Sequence, residues 1–183
     1  MTRYCALLRG IGPSDPNMRN DRLRGVFQGL GFTEVASVLA SGNIVFADPT
    51  GEPAPVLERR IQEALHAQLG IPGGTLVRSR DELQHLMDRE PFGARTHGKS
   101  TYLTVTFCKD PLDPVPEPFP APPSPEVDVL GYDAHCRAVL AVVDTTGTRT
   151  PDFMGWLQRE FGTGITTRTW LTVTRILRKF PSG

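Results

Sequence analysis

Arg9, Gly10, Ser41, Gly42 and Asn43 combine the groups that hold an anion: a guanidinium, a hydroxyl, a carboxamide and glycines whose amides a ligand can approach. Arg9-Gly10 closes an apolar run at residues 4–8, and Ser41-Gly42-Asn43 interrupts two extended runs. If those runs are the first three strands of a β-α-β-β-α-β unit, strands one and two point the same way. The end of strand one and the turn between strands two and three then share one edge, near the start of the first helix. That is a cradle for a phosphate or carboxylate. The same residues also suit a plain hairpin turn beside a surface arginine. Arg168, Trp170 and Thr172 form a second group where a helix begins, and here too an anion competes with a threonine cap and a core tryptophan.

Catalytic chemistry has little behind it. His66, His85, His97 and His135 are scattered, and Cys5, Cys108 and Cys136 sit in apolar runs without a C-x-x-C pair. There is no H-E-x-x-H motif and no nucleophile elbow. Asp81 and Glu82 belong to a helix start, and the polar loop at residues 144–150 lacks the spacing of a phosphate loop. No cofactor, metal or disulfide is expected, and no reaction is assigned.

The elements that must position these residues are legible in the periodicity. Residues 4–8 predict a strand. Leu23, Val26, Phe27 and Leu30, recurring at helical spacing from about Asn17, predict a helix closed by Gly31. Residues 35–40 and 44–47 predict a hairpin around Gly42. Leu57, Ile61, Leu65 and Leu69 predict a second helix ending at Gly70, and residues 75–78 a fourth strand. Ser79 and Glu82 then form a capping box for a third helix, which carries Leu83, Leu86 and Met87.

The expected architecture is α+β, with a ferredoxin-like β-α-β-β-α-β unit at residues 1–79 and a smaller, permuted α+β unit at residues 80–183. In the second, strands are predicted at residues 101–107, 127–131 and 136–143, with a turn at residues 132–135. Thr150-Pro151 predicts the start of a helix carrying Phe153, Trp156, Leu157 and Phe161. A last helix runs from Trp170, with Val173, Ile176, Leu177 and Phe180 on one face. Residues 111–125 contain eight prolines, which predicts an exposed, stiff connector.

The charges balance, with 20 Lys and Arg against 20 Asp and Glu, so no net field steers the chain towards polyanions or membranes. No apolar stretch approaches the roughly 18 residues of a membrane span, and the cytoplasm is the expected location. A ferredoxin-like sheet also raises single-stranded nucleic-acid binding, although the third strand lacks the alternating aromatics of a stacking platform. The residues are compatible as well with an enzyme of unidentified class or with a ligand-free scaffold. The oligomeric state is not readable.

Residues 4–11 (Y-C-A-L-L-R-G-I), 39–46 (L-A-S-G-N-I-V-F) and 167–173 (T-R-T-W-L-T-V) together resemble the DUF1697 family of uncharacterised proteins. They are similar to its strand-one LLRGI motif, its SGNVVF hairpin and its C-terminal T-x-R-N-x-x-T segment. The resemblance implies an α/β plait with a ferredoxin-like N-terminal part, and no substrate. Two departures stand out: the loop after Ile11 runs Gly12-Pro13-Ser14-Asp15 where members resemble N-V-G-G, and Thr169 replaces an asparagine.

Overall fold

A computed structural model describes residues 1–147 and 151–182. Its elements alternate as the hydrophobic pattern dictates. β1 (Thr2–Leu8) is followed by a short 3-10 helix (Pro16–Met18), α1 (Asn20–Gly29), β2 (Thr33–Ser37), β3 (Asn43–Asp48), α2 (Ala54–Leu69) and β4 (Thr75–Ser79). These strands form one antiparallel sheet in the order β2-β3-β1-β4. Tyr4, Ala6 and Leu8 pair with or flank Phe46, Ile44 and Val77 on one face, and α1 and α2 cover it with Leu23, Val26, Phe27, Leu57, Ile61 and Leu65. Each such side chain removed from water contributes roughly 1.5–3 kcal/mol. On the other face Cys5, Leu7, Val45 and Arg78 are also fully buried.

Several boundaries differ from the sequence expectation for local reasons. The 3-10 helix takes residues 16–18, where Asp15 caps the amide of Asn17, so α1 starts at Asn20 and not at Asn17. β2 stops at Ser37, and the hairpin connection is residues 38–42, closed by the Val38 amide donating to Asn43 O at 2.9 Å. Gly70 ends α2 at φ 66°, the left-handed cap its type suggests. The capping box is formed: Glu82 N donates to Ser79 Oγ at 3.1 Å, and Ser79 N to Glu82 Oε2 at 2.7 Å.

α3 (Arg80–Asp88) leads into β5 (Thr101–Cys108), β6 (Val127–Asp133), β7 (Ala138–Asp144), α4 (Phe153–Phe161), β8 (Ile165–Thr169) and α5 (Trp170–Lys179). The second antiparallel sheet has the order β6-β7-β5-β8, which repeats the order of the first and corrects the expected permutation. The reason is β8, an unanticipated strand of threonines and Arg168 that pairs with β5 over residues 104–108. Where the first unit has α1, the second has the proline-rich connector, with Phe119 packed against the core of Val127, Val139, Ala141, Phe153, Trp156 and Leu157. Thr150 of the expected cap lies outside the described residues; Asp152 caps α4 by accepting from Gly155 N at 3.2 Å. Packing divides the chain into two compact units, Met1–Gln84 with Arg175–Gly183, and His85–Thr174. Among the described residues no helix is long and apolar enough to cross a membrane.

Candidate functional site

β1 lies between β3 and β4, so the chain leaving it at Leu8 meets a different neighbour on each flank. On one side Leu8 N donates to Gly42 O at 2.8 Å; on the other Arg9 N donates to Gly74 O at 2.9 Å. Arg9, Gly10, Ser41, Gly42 and Asn43 therefore reach the same end of the sheet through their backbones. The glycines permit this approach. Gly42 has φ 77°, and a Cβ there would lie 2.6 Å from Ile11 Cγ1, while a Cβ on Gly73 would run into the Arg9 carbonyl. Gly10, at φ 69°, has open surroundings.

The side chains part company. Arg9 lies along the β4 flank, with its Cδ 3.6 Å and Nη1 3.9 Å from the position a Gly74 Cβ would occupy. Asn43, on the β3 flank, is fully buried and donates through Nδ2 to Val38 O and to Ser41 Oγ, both at 3.0 Å. Its carboxamide ties the hairpin connection together.

Beside that connection is a groove of about 420 Å³, lined by Arg19, Asn20, Asp21, Arg24, Met18, Pro13 and Ala40. Two bonds fix its walls: Asn20 Nδ2 donates to Leu39 O at 2.9 Å, and Arg24 Nη1 to Ser37 Oγ at 2.7 Å. Leu39 holds a left-handed φ of 60° with its side chain exposed, a conformation costly for a leucine. Asn20 Oδ1 is buried without a hydrogen-bond partner, and α1 starts here without a side-chain cap. Arg19, Asn20 and Arg24 were missed by sequence reasoning because R-N-D-R-L-R at a helix start reads as a solvated charged turn.

In the second unit Arg168 is held by its own strand, donating through Nη1 to Thr166 Oγ1 at 2.7 Å and Thr167 O at 3.0 Å. Arg78 repeats the arrangement in the first sheet, donating to Val77 O at 2.8 Å. Thr172 N donates to Thr169 Oγ1 at 3.2 Å, so Thr169 caps α5. Trp170 is partly buried, its ring 5.2 Å from that of Phe92. In the polar loop, Asp144 Oδ1 accepts from Thr146 N at 2.8 Å and Thr146 Oγ1 at 2.6 Å, and residues 148–150 lie outside the described residues. The rings of His85 and His135 approach to 4.4 Å. Among the described residues no three His, Cys, Asp or Glu side chains converge as metal ligands.

These features define an α+β protein of two four-stranded antiparallel sheets sharing one strand order. The chain belongs to DUF1697, a family described as protein of unknown function, whose profile matches residues 1–121. The match ends before the segment at residues 167–173. A conserved bacterial protein from Streptococcus pneumoniae is similar in structure, with a TM-score of 0.73 over 97% of this chain and 98% of that one, at 19% identity. At that identity the likeness establishes the fold alone. No curated protein matches the chain.

Proposed function

We propose that this protein is a cytoplasmic binder of an anionic, nucleotide-like small molecule, held at the end of the first sheet where β1 gives way to Arg9 and Gly10. The observation that carries the reading is the groove at the start of α1, where the Arg19 and Arg24 side chains stand beside helix amides that no side chain caps. Free amides at a helix start and guanidinium groups favour phosphate or carboxylate oxygens. Asp21 also lines the groove, its Oδ1 3.5 Å from Arg19 Nε, so an incoming anion competes with this exposed ion pair for the Arg19 guanidinium. Ser41, Gly42 and Asn43 shape the wall through Ala40, whereas the Arg9 side chain lies along the β4 flank and does not line the groove. The β-α-β-β-α-β order with strands β2-β3-β1-β4 supports the ferredoxin-like plan for this unit.

The competing nucleic-acid reading is weaker. Tyr4 and Phe46 are buried beneath α1 and α2 and offer no aromatic platform on that face for bases to stack on. The test is calorimetric titration of the full chain with inorganic phosphate, AMP and a single-stranded oligonucleotide. AMP should bind saturably, and Arg19→Ala with Arg24→Ala should weaken it by about tenfold or more. Absence of saturable binding by phosphate and AMP, or equal binding by the double variant, overturns the proposal.

A further inference from the structure

A second groove, of about 530 Å³, lies wholly within the second unit and is lined by Met87, Asp88, Glu90, Phe92, Arg95 and Trp170, with Gly93. Its backbone is set by consecutive tight turns after α3: Glu90 N donates to Met87 O at 3.0 Å, Gly93 N to Glu90 O at 2.9 Å, and Arg95 N to Phe92 O at 3.1 Å. Glu90 and Gly93 take left-handed φ values of 46° and 55° to make them. Phe92 is buried and anchors the loop, and its ring meets that of Trp170. Trp170 is in turn fixed as the first residue of α5, directly after the Thr169 cap. The groove thus has a rigid aromatic wall.

The charges around that wall are unequal. Glu90 brings a carboxylate and Asp88 one that already has a partner of its own, while Arg95 is the single cation among the described lining residues and is drawn towards Asp128 at 3.6 Å. Arg168, which the sequence suggests for an anion here, is bonded to Thr166 and Thr167 of its own strand. A tryptophan face attracts a cation, and flanking carboxylates add to that attraction. The volume suits a small organic molecule.

We infer that the groove between the end of α3 and the start of α5 is a binding site for a small organic cation with a flat face, an amidinium or guanidinium compound, stacked on Trp170 with its charge towards Glu90. It is independent of the anion site proposed at the first sheet.

The test uses the full-length chain and benzamidine as the probe, with neutral benzamide and anionic benzoate as matched controls. Binding is followed by calorimetry and by the indole N–H resonance of Trp170. Benzamidine should bind saturably and shift that resonance, and benzamide and benzoate should bind about tenfold more weakly or not at all. Glu90→Gln and Trp170→Leu should each weaken benzamidine by about fivefold or more. Glu90→Gly is the folding control: at positive φ glycine relieves strain, so loss of binding in a chain of undiminished melting temperature comes from the carboxylate. Equal binding of benzamide, no saturable binding of benzamidine, or unchanged affinity in Glu90→Gly would overturn the inference.

Discussion

The backbone amide of Arg9 donates to the carbonyl oxygen of Gly74 at 2.9 Å, and this bond presses the end of β1 against the residue before it, Gly73. A methyl group at position 73 would collide with the Arg9 carbonyl, which is backbone and cannot swing away. At Gly74 it would meet the flexible side chains of Arg9 and Gln62, at ordinary contact distance. Gly73→Ala should therefore cost about 1–3 kcal/mol in urea denaturation, and Gly74→Ala clearly less. Equal costs would show that the close approach does not constrain this end of the sheet.

Asn43 and Arg9 should separate structure from binding. Asn43→Ala removes the buried carboxamide that ties the Val38 carbonyl and Ser41 hydroxyl together, and a loss of about 2 kcal/mol is expected. Arg9→Ala should change stability by less than about 1 kcal/mol, and because its side chain lies on the β4 flank, outside the groove lining, AMP affinity should fall less than in the Arg19→Ala with Arg24→Ala variant. Denaturation midpoints and calorimetry on the same two variants read both effects.

Glu58 is a buried carboxylate whose Oε1 accepts from Val77 N, at 2.9 Å, on the side of β4 that faces away from β1. Four residues on, Gln62 Oε1 accepts from Thr75 N at 3.3 Å. One face of α2 thus satisfies the outer edge of the sheet. Glu58→Ala should cost about 2–3 kcal/mol because the Val77 amide loses its acceptor, and Glu58→Gln less because an acceptor oxygen remains. Hydrogen exchange at Val77 should rise in the alanine variant.

Asp48 should shape the acid limb of the stability curve. Burial pushes its carboxyl upwards, but the hydroxyl and amide of Thr50 and the amides of Glu52 and Gly51 outweigh burial, and the net direction is below the ordinary aspartate range. A depressed folded-state value stabilises the fold above the unfolded value of about 4, and that contribution is lost as pH falls through the lower folded one. Asp48→Asn should lower stability at pH 7 and flatten its decline below pH ~4. A parallel decline in both proteins would exclude Asp48 as a contributor.

The connector at residues 111–125 is exposed along most of its length and is attached through Leu112 N, which donates to Tyr132 Oη at 3.1 Å, and through the Phe119 ring, 5.5 Å from that of Phe161. Deleting residues 121–123 should leave the melting temperature nearly unchanged, whereas Phe119→Ala should lower it. A deletion variant that is unfolded, or that melts far below the parent chain, would contradict the connector role.

Local chemistry made the helices and their ends readable. Leu23 and Phe27 in α1 and Ile61 and Leu65 in α2 recur with the helical period, and Ser79, Gly70 and Gly42 do what their side chains, or the lack of one, allow. β8 was unreadable because Thr166, Thr167, Arg168 and Thr169 have neither apolar alternation nor a turn signal on both sides. Only pairing with Thr104, Val105, Thr106 and Phe107 makes them a strand. The repeated strand order stayed hidden for the same reason, together with the proline-rich connector standing where the first unit has α1.

At the candidate sites the division is sharper. The type and position of Arg9 and Asn43 implied that their backbones reach one sheet end, since strand direction follows from the order of strands and helices alone. Which way a side chain leans depends on its neighbours in space: β1 has β3 on one flank and β4 on the other, so Arg9 lies along Gly74 while Asn43 turns inward to Val38. Likewise, apolar spacing marked Trp170 as part of a helical stripe, but the carboxylates beside it come from residues 88 and 90, far away in the chain. Their approach depends on the left-handed turns at Glu90 and Gly93, which no periodicity encodes.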